Sequence, residues 1–118
     1  MRELVEAVRD FIEQRAMAEL KGHTAFHARV AANALSIVAR ELETSGPSGE
    51  AERERLKSLL GHDGTLLELN RELCQQIRGG KIGPDTKGLA EHLTLTTRDK
   101  VAIDQPNYSG LKRLLADG

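Results

Sequence analysis

Apolar residues recur along this chain at helical spacing. From about Arg2 to Leu20, Leu4, Val5, Val8, Phe11 and Ile12 share one face at about 100° per residue, opposite Glu3, Glu6, Asp10 and Glu13. Gly22 is the expected stop. A second segment, from about Thr24 to Glu43, carries Phe26, Ala28, Val30, Ala31, Ala34, Leu35, Ile37, Val38, Ala39 and Leu42. These residues sweep roughly two thirds of the helix circumference, the pattern of a helix covered on several sides. The spacing therefore predicts a central helix whose alanines let neighbours approach closely.

Thr44 to Gly49 (TSGPSG) reads as a loop, since it combines Gly, Pro and Ser. A helix from about Glu50 to Leu60 follows, with Leu56, Leu59 and Leu60 inward and Ser48 placed to cap it. Gly61 to Gly64 breaks the pattern. Thr65 followed by Glu68 matches a capping box, which opens a helix to about Arg78 with Leu66, Leu69, Leu73 and Ile77 on one stripe. Gly79 to Pro84 (GGKIGP) is a second loop, after which Asp85 or Thr86 can cap a helix from about Lys87 to Asp104. Within it LTLTT alternates as a strand does, so the pattern leaves helix and strand open over residues 92–103. Gln105 to Gly110 forms a turn, and Leu111, Leu114 and Leu115 close the chain as a short helix or packed tail. With short connections, no repeat and no linker, the expected fold is all-α: one domain over residues 1–118, an antiparallel bundle of five to six helices.

Composition narrows the partners. Seventeen basic residues balance eighteen acidic ones, so the chain carries no footprint for nucleic acid or an anionic membrane. No apolar run approaches the roughly 20 residues of a membrane span, and the charged N-terminus is unlike a signal peptide. A single cysteine, Cys74, excludes an internal disulfide and suits a reducing, cytoplasmic setting.

Candidate chemistry lies where polar residues interrupt apolar stripes. His27 falls inside the apolar arc of its helix, either as a hydrogen-bonded core histidine or as a general base or ligand. His23 precedes it at metal-ligand spacing, but no third ligand accompanies the pair; we expect no metal site and no cofactor. Arg29, Asn33, Ser36 and Arg40 form a polar strip, either a solvent edge or a pair of guanidiniums for a phosphate or carboxylate. Lys100 and Asp104 share the arc of Leu89 and Leu93, and Asn70 interrupts the Leu66–Leu69–Leu73 stripe. A buried amide must be satisfied, so Asn70 is expected to bridge helices. Together His27, Asn33, Asn70, Lys100, Asp104 and Tyr108 could converge into one polar cluster, which in a Leu-rich bundle specifies packing or houses a site. His62 and His92 are too scattered to join any constellation, and Cys74 has no adjacent base on its helix.

Three stretches, AFHARVAANAL (Ala25 to Leu35), LNRELCQQIRGG (Leu69 to Gly80) and DKVAIDQPNYSG (Asp99 to Gly110), give the chain a further character. With the amphipathic N-terminus they resemble a bacterial family of small helical proteins of unknown function. Its members are typically encoded beside an aminoglycoside-phosphotransferase-like kinase and an acyl-CoA dehydrogenase. The resemblance carries no catalytic residue. It implies an accessory role in acyl-CoA or related small-molecule catabolism, an inference from association rather than residue chemistry.

Three functional readings follow. The first is a non-catalytic accessory or interaction protein for a kinase-like or acyl-CoA dehydrogenase partner, with homo-oligomerisation through Leu111, Leu114 and Leu115 also open. The second is a module binding an anionic, acyl-CoA-like molecule through Arg29 and Arg40. The third, an enzyme using His27 with Lys100 or Asp104, ranks last.

Overall fold

The computed structural model describes residues 1–117, and the side chains of residues 1–116. All regular structure among them is helical. The chain forms two compact units, Met1–Ser45 and Gly46–Gly118.

In the first unit, α1 (Arg2–Phe11) runs through a π-helical turn (Ile12–Ala16) into the short α2 (Met17–Glu19). In the π turn the amide of Met17 donates to the carbonyl of Ile12, five residues back, which widens the helix and shifts the register of the face beyond it. Leu20 is extended, and Gly22 adopts φ +65°, a left-handed conformation that suits glycine alone at little cost. These two residues reverse the chain into α3 (Gly22–Leu60). Arg2 lies 3.9 Å from Glu43, so the helices on either side of the reversal run antiparallel as a hairpin.

The expectation of a central helix buried on several sides needs correction here. The only fully buried positions in this unit are Ala32 and Ala39, with Ala25, Ala28 and Leu35 half-buried on the same arc. One antiparallel neighbour covers one arc of a helix. The alanines occupy the covered arc, which leaves Phe26, Val30, Val38 and Leu42 exposed. The apolar face of α1 divides in the same way: Val5 and Ile12 are half-buried, whereas Leu4, Val8 and Phe11 are exposed.

The expected loop at Thr44–Gly49 is also corrected, since α3 continues through it with Pro47 in its interior. Pro47 has no amide to return to the Glu43 carbonyl, a substitution that costs a helix about 3 kcal/mol relative to alanine. Residues 41–47 are all exposed, so water can take up the orphaned carbonyl. The Thr44 hydroxyl donates to the Arg40 carbonyl (2.8 Å), which gives the backbone just before Pro47 a side-chain donor. Ser48 is therefore helical interior and not a cap.

The second unit holds the end of α3, α4 (Leu66–Arg78), α5 (Leu89–Asp104) and α6 (Ser109–Asp117). At the start of α4 the expected capping box is complete. Thr65 Oγ1 accepts from the Glu68 amide (3.2 Å), and Glu68 Oε2 accepts from the Thr65 amide (3.2 Å). Arg53 closes the corner before it, pairing with Glu50 (2.8 Å) and with Asp63. Leu56, Leu69, Leu73, Ile82 and Leu89 form the core, flanked by Leu60 and Leu66. Full burial of each such side chain contributes about 1.5–3 kcal/mol. Ile77, expected on the inward stripe, is exposed; Ile82 from the GGKIGP loop supplies the buried side chain beyond Leu73. Its amide and that of Lys81 both donate to the Gln76 carbonyl (3.2 and 2.9 Å), which seats the loop on the end of α4.

Residues 92–103 are helical, as part of α5. Thr86 does not cap it. Its hydroxyl instead accepts from the Gly83 amide (2.9 Å) and closes the loop, while Gly88, at φ +90°, stands at the N-cap.

Candidate functional site

The residues singled out from sequence fall in both units. In the first, His27 is exposed, its ring edge-on to Phe26 at 5.6 Å, and not a core histidine. Arg29 and Asn33 are exposed and Arg40 is half-buried. Eleven residues separate the two arginines, about 16 Å along the helix. In the second, Asn70 bridges helices as expected: its Nδ2 donates to Glu52 Oε1 (3.3 Å) on α3 and to the Leu66 carbonyl (3.0 Å) on its own helix. Lys100 and Asp104 are exposed and join no hydrogen bond or ion pair among the described residues. Tyr108 is exposed and lies elsewhere, along a shallow apolar cavity of about 270 Å³ with Val101, Leu111 and Leu114. The Tyr108 ring packs over Gly110, where a Cβ would meet Cε1 at 2.5 Å and displace the ring. Among the described residues no three His, Cys, Asp or Glu side chains are grouped to hold a metal.

The structure assembles a different polar group, from residues the sequence left aside. Arg55 on α3 is half-buried and reaches across to α5. Its Nε donates to His92 Nδ1 (3.1 Å) and its Nη2 to Thr96 Oγ1 (3.1 Å). His92 and Thr96 are four apart on α5, so one face of that helix presents both acceptors to one guanidinium. His92 is only 2 % exposed. Burial, and then the Arg55 charge, hold its pKa below the ordinary imidazole range, against a smaller pull upward from Glu52. The ring is thus neutral at neutral pH, and because Nδ1 accepts from Arg55, the proton resides on Nε2.

This group borders a cleft of about 380 Å³, lined also by Ser58, Leu59, Lys87, Gly88 and Glu91. No carboxylate lies within ion-pair distance of Arg55 among the described residues. A sequence signal for the site existed: His92 lies between Leu89 and Thr96 on one stripe at i, i+3, i+7, and the core buries that stripe. It becomes readable only once residues 92–103 are known to be helical.

His62, also left aside, is an exposed histidine of another kind. Its Nδ1 lies 3.1 Å from the Asp63 carbonyl and its Nε2 2.6 Å from Glu72 Oε2. The carbonyl and then the carboxylate favour its charged form and raise its pKa.

A second feature is apolar. Leu4, Val8 and Phe11 recur at i, i+4, i+7 on α1, and Phe26, Val30, Val38 and Leu42 lie along α3 in a ridge of fours completed by Ala34. Every one of these seven large side chains is more than two fifths exposed. No helix among the described residues is long and apolar enough to cross a membrane, so this face is amphipathic and not a membrane span.

No curated protein and no solved structure matches the chain. A family model does: a domain of unknown function, DUF6285, matches residues 18–108, from the end of the first helical segment through Tyr108. That match takes in most of the chain, and the protein therefore belongs to the DUF6285 family.

Proposed function

We propose that this protein is a non-catalytic interaction protein, docking through the apolar face of its N-terminal hairpin onto a kinase-like or acyl-CoA dehydrogenase partner in the cytoplasm. One observation carries the reading. The first unit buries only two alanines fully, yet holds seven large apolar side chains in contact with water. An apolar patch of that kind marks an interaction surface. Covering each side chain recovers a share of the about 1.5–3 kcal/mol that full burial contributes. The ridge of Phe26, Val30, Val38 and Leu42 is shaped for another helix, because i±4 ridges pack into the matching grooves of a neighbour.

The test uses the purified chain and two candidate partners, an aminoglycoside-phosphotransferase-like kinase and an acyl-CoA dehydrogenase. Light scattering after size exclusion reads the mass of the chain alone and of each mixture. Wild type is compared with a Phe26→Ser, Val30→Ser variant whose helix content is checked by circular dichroism. A complex with either partner that the variant abolishes supports the proposal. A chain that binds neither, or whose complex survives the substitutions, overturns it. A dimer lost in the variant would assign the face to a second copy and overturn the heterologous partner.

A further inference from the structure

We propose that the cleft beside Arg55 is a binding site for a small oxyanion, a phosphate or carboxylate group, held end-on by the Arg55 guanidinium with Lys87 at the rim. The site is independent of hairpin docking and lies wholly within the second unit. The stereochemistry of the guanidinium decides which of its donors are free. Arginine offers five N–H donors in two forked edges. The side edge of Arg55, Nε with Nη2, is committed to His92 and Thr96. Those two acceptors are neutral, so they orient the cation without cancelling its charge. The end edge, one proton of Nη1 and the second of Nη2, makes no hydrogen bond to the described residues. That edge has the spacing of two oxygens of one carboxylate or phosphate.

Half-buried cations without a counter-ion are costly, and a structure that fixes one beside a cleft is complementary to an anion. Two further groups agree. Lys87 lines the same cleft and is exposed. The cleft also meets the first turn of α5 at Gly88, where no side chain caps the helix. There the amides of Ala90 and Glu91 have no acceptor among the described residues, and a helix start favours negative charge. Gly88 adopts φ +90°, a left-handed conformation that favours glycine, with Leu59 Cδ2 3.5 Å from where a Cβ would stand. One group opposes: the Glu91 carboxylate lines the cleft and repels an anion. Lys87 lines the same cleft and offsets part of that charge. The balance of two cations, a helix start and one carboxylate predicts weak, millimolar binding and a specific response to removing Glu91.

The test is an amide-resolved NMR titration of the purified full chain. Inorganic phosphate and acetate are the probes, with chloride at matched ionic strength as reference. Saturable shifts of the Gly88 to His92 amides with either probe, beyond those with chloride, are expected. The probe that saturates at lower concentration distinguishes phosphate from carboxylate. Lys87→Met should weaken binding by about fivefold, as for one exposed charge, and Glu91→Gln should tighten it by a similar factor. Arg55→Met, checked for retained helix content, should weaken it by more than about tenfold. If neither probe shifts these amides beyond chloride, the site does not exist as proposed. Saturable shifts unchanged in both Lys87→Met and Glu91→Gln would also overturn it, and these exposed substitutions keep the test valid even if Arg55→Met unfolds.

Discussion

Arg55→Met isolates what the guanidinium does for the fold. Methionine keeps the aliphatic stem packed between α3 and α5 and removes the charge and its donors. Two hydrogen bonds disappear, to His92 Nδ1 and Thr96 Oγ1. Thr96 is half-buried and can turn to water, but His92 is almost wholly enclosed, so its Nδ1 is left without a donor. An unsatisfied buried acceptor costs about 1–3 kcal/mol, and relief from holding a half-buried cation offsets part of it. The expected loss at about pH 7 is therefore about 1–2 kcal/mol. The pH dependence gives a second, sharper reading. In wild type the folded His92 pKa is depressed, by burial first and Arg55 second. The unfolded chain then binds a proton more readily, so stability falls as pH drops from about 6.5 through the folded value. Without Arg55 the folded pKa rises toward the ordinary range, that window narrows, and acidification costs the variant less. Urea unfolding followed by circular dichroism at about pH 7 and about pH 5, with the His92 resonances titrated by NMR, measures both effects. A variant as stable as wild type at neutral pH, or a deficit that widens on acidification, would refute the reasoning.

Other substitutions test the frame around the site. Leu69→Ala empties the centre of the second unit's core and should cost about 3–5 kcal/mol by urea unfolding, whereas Leu67→Ala on the exposed face should stay within about 0.5 kcal/mol. Thr65→Ala removes half of the capping box and should cost about 1 kcal/mol, read as a lower thermal midpoint. His62→Asn tests the opposite pH sign. The raised His62 pKa contributes stability below about 6.5 that is lost as pH rises through the folded value. The variant should thus be less stable than wild type at acid pH and match it at alkaline pH in paired thermal melts.

How much of the fold was legible depended on whether local chemistry and tertiary cover agreed. α4 could be read almost residue by residue, because Thr65 and Glu68 satisfy the orphan amides at its start and Leu69 and Leu73 face one core. At Pro47 the local signal pointed to a loop, but residues 41–47 are exposed, so solvent absorbs the missing bond and the helix persists. Thr94, Thr96 and Thr97 weaken a helix by propensity, yet Leu89 and His92 need one turn of helix to reach the same core. Burial outweighed propensity there. In the hairpin, sequence showed that most of the helix circumference was apolar. It could not show which arc a single neighbour would cover, since alanine and phenylalanine differ in how closely a backbone approaches, not in sign.

The site was less legible for a geometric reason. Arg55 and His92 are 37 residues apart, and their partnership exists only when α5 is helical and turned so that His92 and Thr96 face α3. The polar residues that stood out in sequence, His27, Lys100 and Asp104, did so by interrupting apolar arcs, and those arcs proved partly exposed. An interruption signals a buried network only where the surrounding stripe is buried. His92 meets that condition between Leu89 and Thr96, and Asn70 meets it beside Leu69 and Leu73. Asn70 donates to Glu52, which also lies close enough to influence His92. The two interruptions on covered stripes therefore belong to one electrostatic neighbourhood. An Asn70→Leu substitution should free the Glu52 carboxylate to move toward Arg55, raise the His92 pKa and weaken oxyanion binding in the cleft. NMR titration of His92 and of phosphate in that variant reads both, and an unchanged His92 pKa would separate the bridge from the site.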